Sequence, residues 1–412
     1  MSDQQVEQMQ QDMIRFIEAL LENLERSNAE AVAVQARIQA LYDEGKPFYS
    51  KEIFADVEKQ LESIDMAQPL PTITYKGVDE SQVTQVLRAT CPYHPAMMVN
   101  VKVRTYQDMI NQVAYNWNNA VRAAAMAPIT FKTLVDILLA DEDEDEDGES
   151  DGDSEEKGMD YWEDQFDDII STWIHGPEFA RLILLLRACG DKINSVDKIV
   201  CFGLGYFTSD ENTRRRGSRC SVQYVAALVV CEFIKIKTGR RVPIFSQEPY
   251  ADDITIDILE DHGINTYVGS RRFTHGYIDV DDNTLVISIF PTVPVRSVIA
   301  DIARPVIMIC AGYFRDGEQQ ETAFWQRCGF QATPPTFDPA LPRVVAMLRN
   351  DYLEAPFVRE MYEEQPDIPF ARIFIYVRKD KDGDAKDKDR EVEGKSKQVE
   401  GKAQDAGDET QV

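Results

Sequence analysis

The sequence predicts an α/β fold. It is Rossmann-like, with a mostly parallel sheet of about five or six strands, helices on both faces and a mainly helical N-terminal region before it. Three observations predict this. Short β-branched apolar runs recur between Ile199 and Ala311, bounded by Gly, Pro or Asp. Segments of 3.6-residue apolar periodicity separate them, the pattern of parallel strands joined by crossover helices. The first run, Lys198–Phe207 (KIVCFGLGYF), enters a glycine turn, Gly203-Leu204-Gly205, ahead of a long helical pattern.

The 412 residues suffice for two or three domains. Composition divides them into a mainly helical region at 1–140, an acidic disordered linker at 141–158, the Rossmann-like domain at 159–378 with its core at 198–311, and a disordered charged tail at 379–412. Asp141–Lys157 sets twelve acids against one lysine and cannot bury a core. The net charge of −28 opposes binding to phosphate backbones and anionic membranes, so neither nucleic acid nor membrane is an expected partner. The longest apolar runs, such as Val225–Cys231, fall far short of the ~20 residues of a membrane span. Seven cysteines without a CxxC pair read as reduced, mostly buried thiols. Cys91 and His94 lack a second pair, so no metal site is expected. With an N-terminus unlike a secretory or transit signal, these features point to the cytoplasm, the nucleus or both.

In chain order, Val6, Met9, Met13, Phe16, Leu20 and Leu24 form one apolar stripe, extended by Val34, Ile38 and Leu41. Such a helix over 5–42 is either a coiled-coil or protein-partner site, or docks on its own domain. Ile53–Ile64 continues helical, Thr72–Tyr75 is a short strand, Val83–Leu87 a helical turn, and Tyr106–Ala127 and Phe131–Leu139 are helices. Asp160–Glu163 has the spacing of a capping box. Phe179–Ala188 is a second helix of this part. The strands follow at Ile199–Phe202, Val242–Phe245, Ile264–Val268, Leu285–Phe290 and Pro305–Ala311, with a last one at Arg372–Val377. Helices lie between them at Val222–Ile236, about 251–262 and Val295–Ala303, and Pro294 suits the first position of the last. Gly269–Asn283 reads as a polar loop, and Ala340–Leu353 as a helix.

The glycine turn is the first candidate for chemistry. In a dinucleotide fold, G-x-G-x-x-G lets the backbone approach a pyrophosphate at a helix N-terminus, with an acid ~20 residues on. Here Thr208 holds the third glycine's place, Thr208–Gly217 separates turn from helix, and the strand-end acid, Glu248, lies 45 residues beyond Gly203. NAD therefore fits poorly. A shorter turn of this kind suits S-adenosylmethionine, with Glu248 on the ribose and Pro291–Pro294 facing the substrate. Alternatively, the two glycines only make the turn. Arg214, Arg215, Arg216 and Arg219 could clamp an anion beside it, or solvate the surface. Asp252 and Asp253 suit the first turn of a helix. There is no GxSxG, HExxH or P-loop.

KIVCFGLGYF at 198–207, SRCSVQYVAAL at 218–228, IFSQEPYADDITIDILEDHGI at 244–264 and VISIFPTVPVRSVIADIARPVIMIC at 286–310 together resemble the sensitivity-to-red-light-reduced family, especially its fungal forms. The resemblance implies a Rossmann-like domain in a regulatory protein with no assigned reaction. Members are linked to light and circadian signalling, haem-synthesis regulation and cytoskeletal phenotypes. It implies site positions at Gly203, Leu204, Gly205, Ser218, Gln223, Glu248, Pro249 and Pro291. Plant and animal members tend to carry Pro-His-Cys after the fourth strand, where this chain has Pro291-Thr292-Val293. An S-adenosylmethionine-dependent methyltransferase is the alternative reading.

Overall fold

The computed structural model describes residues 15, 22, 26–63, 72–87, 99–115, 125–133, 158–207, 214–248, 251–267, 274–289, 291, 293–313, 338–357 and 373–380. The N-terminal region contains α1 (26–43), α2 (Lys51–Ser63), β1 (Thr72–Lys76), β2 (Gln82–Val86), β3 (Val99–Val103), α3 (Tyr106–Tyr115) and β4 (Ile129–Thr133). It is mainly helical, as the sequence predicts, with short strands among the helices. β1–β2 and β3–β4 are two antiparallel pairs, so Val83–Leu87 is no helical turn and the segment entered at Phe131 begins as a strand. In β2 Val83 is buried between exposed Gln82 and Thr84, a period of two that the short polar run disguises. The stripe Val6–Leu24 and the stretches 134–157 and 381–412 lie outside the described residues, apart from helical Arg15 and Glu22.

From residue 158 the elements are α4 (Met159–Trp173), α5 (Pro177–Ala188), β5 (Lys198–Phe202), α6 (Arg214–Thr238), β6 (Ile244–Gln247), α7 (Asp253–Asp261), β7 (Ile264–Thr266), α8 (His275–Asp279), β8 (Thr284–Ser288), α9 (Val295–Ile302), β9 (Ile307–Ala311), α10 (Pro342–Asp351), β10 (Tyr352–Pro356) and β11 (Ile373–Arg378). α4 is capped at Gly158 without a side-chain bond, so Asp160 sits inside its first turn and no capping box forms. Asp252 does cap α7, accepting from the Thr255 N–H at 2.7 Å. Pro294 lies one position earlier than expected, at the N-cap of α9.

Seven strands form one sheet in the order β10-β11-β9-β8-β5-β6-β7. The five from β7 to β9 are parallel, whereas β11 runs antiparallel to both β9 and β10. β10 is the strand that the sequence hides, because Tyr352–Pro356 follows α10 with no breaker between. Helical α8 likewise lies inside what reads as a polar loop.

Alternation sends side chains to two cores. Ile199, Cys201, Leu285, Ile287, Ile307, Ile309, Ile373 and Ile375 face the layer formed by α4–α7. Val200, Phe202, Val286, Met308, Cys310 and Tyr376 face α8, α9 and α10, and share that core with Ile38, Leu41, Phe48, Phe54 and Val57 of the N-terminal region. Burying each such side chain contributes about 1.5–3 kcal/mol. The second half of the α1 stripe is therefore spent on the chain's own core. Among the described residues no single helix is long and apolar enough to cross a membrane.

Candidate functional site

Sheet order reverses between β5 and β8, which leave in opposite directions to β6 and β9. In open α/β sheets ligands bind outside the carboxyl ends of the strands at such a switch point. The glycine turn stands there. Gly203 has φ 61° and Gly205 φ 87°, left-handed values that L side chains rarely adopt.

The turn is held from three sides. The Gly203 N–H donates to the Gln247 carbonyl at 3.0 Å. The Gly205 N–H donates to Glu248 Oε2 at 2.8 Å. From α6, the Tyr224 hydroxyl donates to the Gly205 carbonyl at 3.0 Å and lies 3.2 Å from Ser246 Oγ. Burial, reinforced by nearby Glu248, raises the Tyr224 phenol well above its usual range, so it stays a donor. Cys220 packs so closely on the turn that a Cβ on Gly205 would sit 2.2 Å from its Sγ.

Of the residues singled out in the sequence, Gly203, Gly205 and Glu248 come together. Leu204 is 1% exposed and belongs to the core, so its side chain does not line the site. Gln223 is buried next to Tyr224 in α6, and its Oε1 has no hydrogen-bond partner. Pro291 is buried just past the carboxyl end of β8, where Ser288 Oγ is also buried without a partner. Ser218 lies in α6 as described backbone, and Pro249 falls outside the described residues. Helix α6 begins at Arg214, so the arginine run opens the helix instead of forming a loop before it.

Cys220, Tyr224, Gln247 and Gly276 complete this neighbourhood and carry no signal in sequence beyond a glycine in a polar stretch. The Gly276 N–H donates to Gln247 Oε1 at 2.6 Å. Several other reactive side chains among the described residues are buried or engaged. Burial pushes the Cys189 and Cys310 thiols up to about 12 and raises Cys201 further. His262 contacts the Ile258 carbonyl and Asp167, and His275 contacts Glu58. No group of three or more metal-ligating side chains occurs among the described residues. A separate small cavity between Tyr42, Phe48, Asp301 and Arg343 lies away from the switch point, and its two charged groups face each other at 3.4 Å.

Doubly wound topology, a glycine turn at the reversal and an acid at the end of the next strand define a Rossmann-like α/β protein with a ligand-type edge. A model of the SRR1 domain, named for sensitivity to red light reduced, matches residues 181–389. The chain belongs to the SRR1 domain family. No curated protein and no solved structure matches it.

Proposed function

We propose that the chain is a regulatory SRR1-domain protein that holds a nucleoside-bearing ligand at the switch point, S-adenosylmethionine or S-adenosylhomocysteine in preference to NAD. The observation that carries this reading is the Glu248 carboxylate on the Gly205 N–H at 2.8 Å. A pyrophosphate brought to the same N–H would meet like charge. A carboxylate at this strand end suits the hydroxyls of a ribose, which donate to it. Gly203, Gly205, Ser218, Gln223, Glu248, Pro249 and Pro291 are the positions assigned to this site.

The regulatory role is supported by family membership. Catalysis as an S-adenosylmethionine-dependent methyltransferase is the second reading. It is favoured by β11, which runs antiparallel between β9 and β10 beside an otherwise parallel sheet. That strand order is used by such methyltransferases, an analogy of fold and not of site.

Protein partners would be met through the N-terminal helix 5–42. Its described part buries Ala31, Ile38 and Leu41 and leaves Val32 63% exposed. Removing 1–25, which spares that core, should lower the number of chains per particle in solution; an unchanged oligomeric state excludes self-association through this stretch.

The ligand reading is tested by thermal shift on the full chain with S-adenosylmethionine, S-adenosylhomocysteine, NAD and ATP. A true ligand at 100 times its Kd should stabilise by ~2.7 kcal/mol. Stabilisation by S-adenosylhomocysteine that Glu248→Gln removes is the expected result. The reading fails if none of the four raises the melting temperature.

A further inference from the structure

We propose that the N-terminal helix α2 regulates the switch-point site from within the chain, with Glu58 as the positioning residue that couples them. This rests on the glycine turn being a ligand site. α2 lies outside the matched domain, which begins at residue 181. It nevertheless reaches the frame of the turn by two routes, both through α8.

The first route is polar. Glu58 is 6% exposed, and its carboxylate accepts from the Thr274 N–H at 3.2 Å and the Thr274 hydroxyl at 2.9 Å, while His275 Nδ1 lies 2.8 Å away. The next residue, Gly276, donates its N–H to Gln247 Oε1. Gln247 also receives the Gly203 N–H on its carbonyl, and its neighbour Glu248 receives the Gly205 N–H. One hydrogen-bonded chain therefore runs from α2 to both glycines.

The second route is a stack of rings. Tyr49 and Phe54 lie 6.4 Å apart, Phe54 and Tyr277 5.1 Å, and Tyr277 and Phe202 4.8 Å, all within 23° of parallel. Phe202 is the residue directly before Gly203. The two routes meet tightly. A Cβ on Gly276 would lie 2.7 Å from Gln247 Oε1 and 2.8 Å from Phe202 Cε1, so only a glycine lets α8 approach both this closely. Close-packed contacts of this kind pass displacement on instead of absorbing it. Undocking α2 loosens the turn, and a ligand that orders the turn tightens α2, because coupling is reciprocal.

Hydrogen–deuterium exchange of the full chain tests this without any ligand. Glu58→Ala should speed exchange of peptides within 198–207 by about tenfold. Val306→Ala, in the opposite core, serves as a control for general destabilisation. Glu58→Gln keeps the side-chain shape and serves if Glu58→Ala does not fold. Exchange at 198–207 that is unchanged, or equal to that of the Val306 variant, overturns the proposal. S-adenosylhomocysteine binding is measured alongside, and its Kd should weaken about tenfold in the Glu58 variant. If the unmodified chain binds none, the ligand reading above fails, and the exchange result alone decides the coupling.

Discussion

The Arg296 guanidinium and the Asp338 carboxylate form a buried ion pair joining residues on both sides of 314–337. Arg296 Nε donates to Asp338 Oδ2 and the Arg296 backbone N–H to Oδ1, both at 2.9 Å, and Nη2 donates to the Asp338 carbonyl. Nη1 donates to the Ala311 and Gly312 carbonyls at 2.9 and 3.2 Å. Burial works to lower the guanidinium pKa, but the Asp338 carboxylate more than offsets this and holds it raised. One side chain of α9 thus fastens the carboxyl end of β9 to the start of the α10 segment.

Removing one partner of such a pair leaves an uncompensated buried charge, so Arg296→Met should cost about 3–5 kcal/mol in urea denaturation. Replacing both, as Arg296→Met with Asp338→Leu, should recover most of the loss. A single variant as stable as the unmodified chain would show that the pair is not buried.

Gly205 is constrained twice, by φ 87° and by Cys220. Gly205→Ala should destabilise by about 1–3 kcal/mol from overlap, and by about 1–2 kcal/mol more from the left-handed backbone. Adding Cys220→Ala removes the overlap and leaves the backbone cost. If the double variant is no more stable than Gly205→Ala alone, contact with Cys220 is not what the glycine avoids.

Most of the sheet was legible because its strands are β-branched runs cut off by Gly, Pro or Asp, and parallel strands buried on both faces read as continuous apolar stretches. Gly203, Gly205 and Glu248 were legible as residue types at strand ends. Their contact was not, since 43 residues separate Gly205 from Glu248. Glu58 with His275, 217 residues apart, and Arg296 with Asp338, 42 apart, were invisible for the same reason. Periodicity reports which face a residue shares, not which side chain meets it. β2, β3, β4 and β10 escaped because short strands with polar members carry little periodic signal.

Asp301 gives the fold a pH dependence of defined sign. Burial raises its carboxyl pKa, partly offset by the Phe48 N–H, Arg343 and the Tyr49 N–H. A raised native value means that the folded state binds the proton more tightly than the unfolded one. This group's contribution is greatest at low pH and falls as pH rises from the unfolded value through the raised native value. Compared with Asp301→Asn, the unmodified chain should therefore gain relative stability between pH 7 and pH 4, by about 1.4 kcal/mol for each unit separating the two states. Urea denaturation of both proteins across that range checks it. A relative loss on acidification would reverse the assignment.

Arg343 ties the N-terminal region to the sheet domain through carbonyls and rings at once. It donates to the carbonyls of Lys46 at 2.7 Å, Leu41 at 3.2 Å and Tyr42, and lies 3.4 Å from Asp301. Its guanidinium also sits 4.1 Å over the Tyr42 ring and 5.4 Å from that of Phe48. A planar fork can satisfy several carbonyls while stacking on a ring, whereas an ammonium acts as a point charge. Arg343→Lys should therefore behave almost as Arg343→Ala does. Both should expose 41–49 to limited proteolysis while the sheet domain stays protected, and both should lose the cation–π part, about 0.5–2 kcal/mol, together with the hydrogen bonds. Full protection of 41–49 in Arg343→Lys would mean that charge alone holds the segment, and that the fork and the stack contribute nothing.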